Sequence, residues 1–140
     1  ILQKKARIPN VEVARQVGMA PSAVLERIRK LEKQGFIDGY EVRLNPKRFA
    51  KSLVAFVSVK LKKLDAEIKV GQTLSKLPEV QEVHYVAGED AFLVKIRAAD
   101  TEALSRLIRD KIAAIAGVQS TQTAIVLSTY KETARIPIDK

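Results

Sequence analysis

The chain has 140 residues, 46% of them apolar, and a formal net charge of +9. That is enough apolar material for one ordinary domain or two small ones, and it excludes a disordered polyelectrolyte. There is no cysteine, which excludes disulfides and thiolate metal sites and fits a reducing, cytoplasmic setting.

Along the chain the first signal is a pair of short amphipathic segments. Ile1-Leu2-Gln3 reads as the end of a helix whose beginning would precede it, followed by a connector broken at Pro9, with Asn10 as the expected N-cap of the next helix. Residues 11–17 and 21–34 are predicted helices, ended by Gly18 and Gly35 and separated by Gly18, Met19 and Ala20. Two helices joined by so short a turn form a helix-turn-helix. Pro21 suits the first helical position, where a missing N–H costs nothing. At about 100° per residue Val24, Ile28 and Leu31 share one face of the second helix. Ser22, Glu26, Arg29, Lys30 and Lys33 share the other. Val13, Val17, Val24 and Ile28 are expected to be partly uncovered without a preceding helix. Residues 36–44 read as an extended, basic wing, and 45–52 as a Pro-broken hinge.

From residue 53 the period changes. Strands are predicted at 53–61, 80–87, 91–98 and 118–129, with helices at 65–77 and from an Asp100 cap to Ile115. The fold expected is therefore α+β: a winged helix-turn-helix over 1–44, a hinge over 45–52, a βαββαβ ferredoxin-like domain over 53–130 and a polar tail over 131–140. Two helices cover only one face of a four-stranded sheet. Val54, Phe56 and Leu93 point to the other, and so large an apolar surface marks an association face, read here as a homodimer interface.

Charge is concentrated where the helix-turn-helix lies. Residues 1–51 hold 12 of the 25 Lys/Arg and 5 of the 16 Asp/Glu, so a polyanion would meet that end first. Double-stranded DNA is the expected partner. Ser22, in the first helical turn, reaches a phosphate or a base edge; Arg29, Lys30 and Lys33 reach phosphates, and Arg29 has the bidentate geometry for guanine. Arg27 lies at the border of the buried face, and Arg43, Lys47 and Arg48 are phosphate candidates from the wing and hinge. Glu26 is expected to pair with Lys30.

The catalytic inventory is thin. His84 is the only histidine, sits mid-strand, and reads as a structural or interface residue. Glu79, Glu82, Glu89 and Asp90 lack metal-ligand spacing with nitrogen donors, and no phosphate-cradling glycine loop or nucleophile motif occurs. No enzyme, cofactor or metal is expected. No apolar run approaches membrane-spanning length and no signal peptide is visible, so no membrane partner is expected. RNA binding is disfavoured because no strand is rich in aromatic residues for base stacking.

The arrangement resembles the Lrp/AsnC (feast/famine) family of transcription regulators. The local matches are Arg7-Ile8, Val17-Gly18-Met19, Arg27-Ile28-Arg29-Lys30-Leu31-Glu32, Gly35-Phe36-Ile37, Gly39-Tyr40 and Leu44-Asn45-Pro46. In the second half they are Leu77-Pro78-Glu79-Val80, Gly88 with Phe92-Leu93-Val94-Lys95-Ile96, and Gly117-Val118 with Thr123. The resemblance implies sequence-specific DNA binding by the first domain and binding of a small effector, usually an amino acid, by the second. It also implies dimers that assemble further, for instance into octamers. It places the effector near this loop at subunit interfaces, where Gly88 and Glu89 offer backbone amides to a carboxylate, Asp90 a carboxylate to the ammonium group and Thr121 or Thr123 a hydroxyl; the alternative is a plain hairpin turn. The family's loop runs Gly-x-x-Asp, whereas this chain has Ala91 at the last position. The alternative is a stand-alone ligand-sensing βαββαβ module with a vestigial helix-turn-helix, which should have lost the Arg/Lys face that this helix retains.

Overall fold

The structure is a computed structural model and describes residues 1–88 and 91–138. It divides into two compact units, Ile1–Leu44 with Lys131–Lys140, and Asn45–Tyr130.

In the first unit α1 spans Asn10–Val17 and α2 spans Pro21–Lys33. Pro9 takes the N-cap position of α1 in an extended conformation, and Asn10 is already helical. Pro9, whose own N–H is absent, leaves its carbonyl to accept from Glu12 and Val13 at 3.0 and 3.1 Å. The turn between the helices depends on Gly18, whose φ of +68° is a left-handed conformation that a side chain disfavours. Val13, Ala14 and Val24 are buried, with Leu2, Ile8, Met19 and Ile28 packed around them. Val13 and Val24 are thus covered, contrary to expectation, because Leu2, Ile8 and Met19 close over them; Val17 is exposed.

Residues 37–45 contain no helix, turn, bend or ladder, so the wing forms no strand pair among the described residues. Its start is nevertheless held: Phe36 N–H donates to the Leu31 carbonyl at 2.9 Å and the Tyr40 hydroxyl to Glu32 Oε1 at 2.9 Å. The tail is no loose appendage. The Gln3 side-chain amide accepts from Ile136 N–H at 2.9 Å and donates to its carbonyl at 3.2 Å, and Arg135 Nε donates to the Gln3 carbonyl at 3.1 Å.

The second unit begins with a 3-10 turn over Pro46–Phe49, capped by the Asn45 side chain, within the stretch read from the sequence as a Pro-broken hinge. Four strands follow, β1 Leu53–Leu61, β2 Val80–Val86, β3 Ala91–Ala98 and β4 Val118–Ile125, in the sheet order β2-β3-β1-β4 with every neighbour antiparallel. Between them lie α3, Glu67–Ser75, and α4, Thr101–Leu107. Asp100 caps α4 by accepting from Ala103 N–H at 2.7 Å. The helix expected to run to Ile115 instead widens into a π-helical turn at Ile108–Ile112, which keeps Ile112 buried against the sheet after Leu104 and Leu107.

The core lies between this sheet and α3 and α4. Ala55, Val57 and Val59 of β1 and Val94 and Ile96 of β3 are fully buried in it with Val70 and Leu74. Period-2 alternation explains why: odd-numbered residues of β1 face the helices and even-numbered ones face away. Gly117 sits where the chain enters β4 with φ +100°, and a Cβ there would lie 2.8 Å from Ala66 Cβ. Only glycine fits both the conformation and the space.

Candidate nucleic-acid interface and ligand loop

The second helix of the pair separates its faces as its spacing demands. Val24 is buried, Ile28 and Leu31 are half-buried, and Ser22, Arg29, Lys30 and Lys33 are exposed. Among the described residues the side chains of Arg29, Lys30 and Lys33 enter no hydrogen bond or ion pair, so their charge is not neutralised within the chain. The expected Glu26–Lys30 pair does not form. Glu32, the carboxylate one turn from Arg29, accepts the Tyr40 hydroxyl instead. Burial and that bond together raise the Tyr40 pKa.

Arg27 differs from the other three cations. Its Nη1 donates to Met19 Sδ at 3.4 Å, folding the guanidinium back over the turn. Arg43 is exposed in the first unit, whereas Lys47 belongs to the second, where its backbone N–H donates to Asn45 Oδ1 at 3.1 Å. On α1, Glu12 accepts from Arg15 at 2.9 and 2.6 Å and from Gln16 at 2.9 Å. The Arg15 guanidinium first, then the Gln16 amide, hold the Glu12 carboxyl down to about 2. That ties up the carboxylate of the first helix, and the free positive charge belongs to the second.

The ligand-side residues are not brought together in one chain. Gly88 is exposed just beyond β2, while Glu89 and Asp90 lie outside the described residues. Thr121 and Thr123 lie on β4, opposite Val59 and Val57 of β1. Since β2 and β4 are the two edges of the sheet, three interstrand spacings, about 14 Å, separate them. A free amino acid does not span that distance, so Gly88 and the threonines of one subunit do not form one site. The resemblance sets the effector between subunits, and the strand order is compatible with that and not with a site inside one chain.

The sheet face away from the helices carries Val54, Phe56 and Leu93, as alternation required, with Val54 buried, Phe56 half-buried and Leu93 exposed. The same face holds a polar cluster that the sequence did not reveal. Glu82 Oε2 lies 3.1 Å from His84 Nε2 and Glu82 Oε1 accepts from Lys95 Nζ at 3.3 Å. The hydrogen bond to His84, then that to Lys95, lowers the Glu82 pKa. The register aligns Glu82 with Lys95 only because β2 has an irregularity between Val80 and Glu82, which spacing alone does not show.

A helix-turn-helix with an unneutralised cationic face on one unit and an antiparallel βαββαβ layer as the other define a two-domain DNA-binding regulator. Residues 1–38 match the winged helix-turn-helix DNA-binding family, and residues 54–136 match the Lrp/AsnC ligand binding domain. The chain is 38% identical to the leucine-responsive regulatory protein of Escherichia coli strain K12 over 139 residues, covering 98% of this chain and 85% of that protein. Its fold is similar to that of E. coli AsnC, with a TM-score of 0.89 and 29% identity over 97% of this chain and 91% of that one. It is also similar to a transcriptional regulator of Neisseria meningitidis in complex with L-methionine, with a TM-score of 0.92 and 32% identity over 97% and 89% of the two chains. The chain belongs to the Lrp/AsnC family of transcription regulators, which are not enzymes. Among the described residues no helix is long and apolar enough to cross a membrane.

Proposed function

We infer that this protein is a cytoplasmic, sequence-specific DNA-binding regulator whose affinity or assembly responds to an amino acid. The observation that carries the DNA half is the free cationic face of α2. Arg29, Lys30 and Lys33 are exposed beside Ser22 and have no partner among the described residues, which gives α2 the role of recognition helix. Arg43 and Lys47 add phosphate contacts. Arg27 stays with Met19 and contributes less. A vestigial helix-turn-helix has no reason to keep three unneutralised cations on one face.

The amino-acid half is supported by the solved relatives. The Neisseria regulator and a feast or famine regulatory protein of M. tuberculosis, 30% identical with a TM-score of 0.87, are both complexes with L-methionine. In this chain the effector sits at the turn following β2, where Gly88 permits close approach to backbone N–H groups. Thr121 and Thr123 reach the same ligand only from another subunit, given the sheet order. The subunits pair through the face carrying Val54, Phe56 and Leu93, and the pairs assemble further. The test is thermal unfolding against each of the twenty amino acids. A selective ligand at a hundredfold excess over its Kd adds about 2.7 kcal/mol to stability. Twenty unchanged melting curves would remove the effector from the account.

A further inference from the structure

Met19 is the one sulfur-bearing residue of a chain without cysteine. It stands in the turn between α1 and α2, where its backbone N–H donates to the Ala14 carbonyl at 3.0 Å. Its half-buried side chain packs with Leu2, Ile8 and Ile28 around Val13, Ala14 and Val24. Its Sδ accepts from Arg27 Nη1 at 3.4 Å. Among the described residues that is the only hydrogen bond of the guanidinium, and no carboxylate pairs with it. A thioether is a weak acceptor, so a full positive charge rests on a contact that is easily replaced.

We propose that Met19 is a reversible oxidation site and that its sulfoxide captures Arg27. Hydrogen peroxide transfers one oxygen to a lone pair of the half-exposed sulfur. The O–O bond breaks, an S–O bond forms, and the second oxygen leaves as water with both hydrogens. The sulfur loses two electrons; a sulfoxide reductase drawing on two thiols returns them and releases the added oxygen as water. The sulfoxide oxygen carries partial negative charge, and Arg27 is the donor already in place. A weak N–H···S contact becomes a charge-assisted N–H···O bond. Without that donor, a polar group would stand against the apolar cluster at a cost in stability. The bond from Met19 N–H to Ala14 keeps the sulfoxide at the turn.

The consequence falls on DNA, and it rests on the reading of α2 as the helix that meets the duplex. A phosphate displaces the thioether and takes Arg27, at the cost of that contact. It does not so easily displace the sulfoxide. Oxidation therefore withdraws one cation per helix and leaves Arg29, Lys30 and Lys33 untouched.

The test compares wild type, Met19→Leu and Arg27→Ala, each as the full chain, before and after treatment with hydrogen peroxide. Leucine is close to methionine in volume and carries no sulfur. Mass spectrometry should find one added oxygen in wild type, on the peptide containing Met19, and none in Met19→Leu. In anisotropy titrations with a labelled duplex, oxidised wild type should lose affinity several-fold. Its salt slope should fall to that of Arg27→Ala, a change of at most about 0.9 per helix. Peroxide should leave the slopes of Met19→Leu and Arg27→Ala where they were, and sulfoxide reductase should restore wild type. Melting provides a reading independent of DNA. Oxidation should lower the melting temperature of Arg27→Ala by several degrees more than that of wild type, because only there does the sulfoxide lack its donor. Equal shifts in the two overturn the capture of Arg27, as does an oxidised wild type that keeps its original slope. A Met19 left unoxidised by peroxide that oxidises free methionine overturns the site. Untreated wild type without salt-dependent binding would overturn the DNA reading instead, and the melting comparison would still decide this one.

Discussion

Neutralising Arg29, Lys30 and Lys33 together, as Arg29→Gln/Lys30→Gln/Lys33→Gln, should remove a defined part of the salt dependence of DNA binding. All three side chains are exposed and none is spent on a partner within the described residues, so each is available to displace a counterion. Each phosphate contact contributes about 0.9 to the slope of log K against log salt, giving a loss of about 2.7 per recognition helix. Across a fourfold rise in salt the wild type should therefore lose roughly fortyfold more affinity per helix than the variant. Fluorescence anisotropy with a labelled duplex, titrated from low to high salt, measures both slopes. The variant should keep its melting temperature within a degree or two, because none of the three packs against Val13, Ala14 or Val24. An unchanged slope with an intact fold would show that α2 is not the helix on the DNA. By the same argument Arg27→Gln should change the slope by less than any of the three, because its guanidinium is held at Met19.

Three further outcomes follow from the second unit. Gly117→Ala should cost on the order of 2 kcal/mol or more in denaturant unfolding, since it forces a side chain into a left-handed conformation 2.8 Å from Ala66 Cβ. Glu82→Gln tests the polar cluster by pH. The folded carboxyl is held below its ordinary range by His84 and Lys95, so its stabilisation is present above that range and is lost as pH falls through the lowered value. With the Glu82 side chain 47% exposed, the difference at neutral pH should be only a few tenths of a kcal/mol and should vanish in acid. Phe56→Asp should dissociate the proposed dimer in sedimentation, because a charge buried without a counterpart costs several kcal/mol; a dimer of unchanged affinity would place the interface elsewhere.

Much of this molecule is legible in its residues because local physics decides it. Gly18 and Pro21 delimit the turn of the helix-turn-helix, period-2 alternation separates Val57 and Val59 from Phe56, and Asp100 announces α4. What the sequence hides is non-local. No local pattern shows that the order β2-β3-β1-β4 sets Gly88 and Thr121 on opposite edges of one sheet. The return of residues 131–138 to Gln3 has no local signal, since a glutamine amide bonds any exposed backbone it meets. The π-helical turn at Ile108–Ile112 arises from packing Ile112 against the sheet, and an apolar stripe of ordinary period does not foretell it. At α1 the expected cap at Asn10 shifted by one residue because Pro9 already supplies the extended entry and the free carbonyl.

The central claim is that one ligand state of the second unit changes what the first unit does on DNA. Its most direct test is the affinity of the full chain for its operator duplex, measured with and without the amino acid that raises the melting temperature. Coupling between two sites is typically 1–3 kcal/mol, or about 5–150-fold. The account predicts a shift in that range, abolished in a variant that no longer binds the amino acid. An operator affinity or stoichiometry that is the same at zero and saturating amino acid would contradict it.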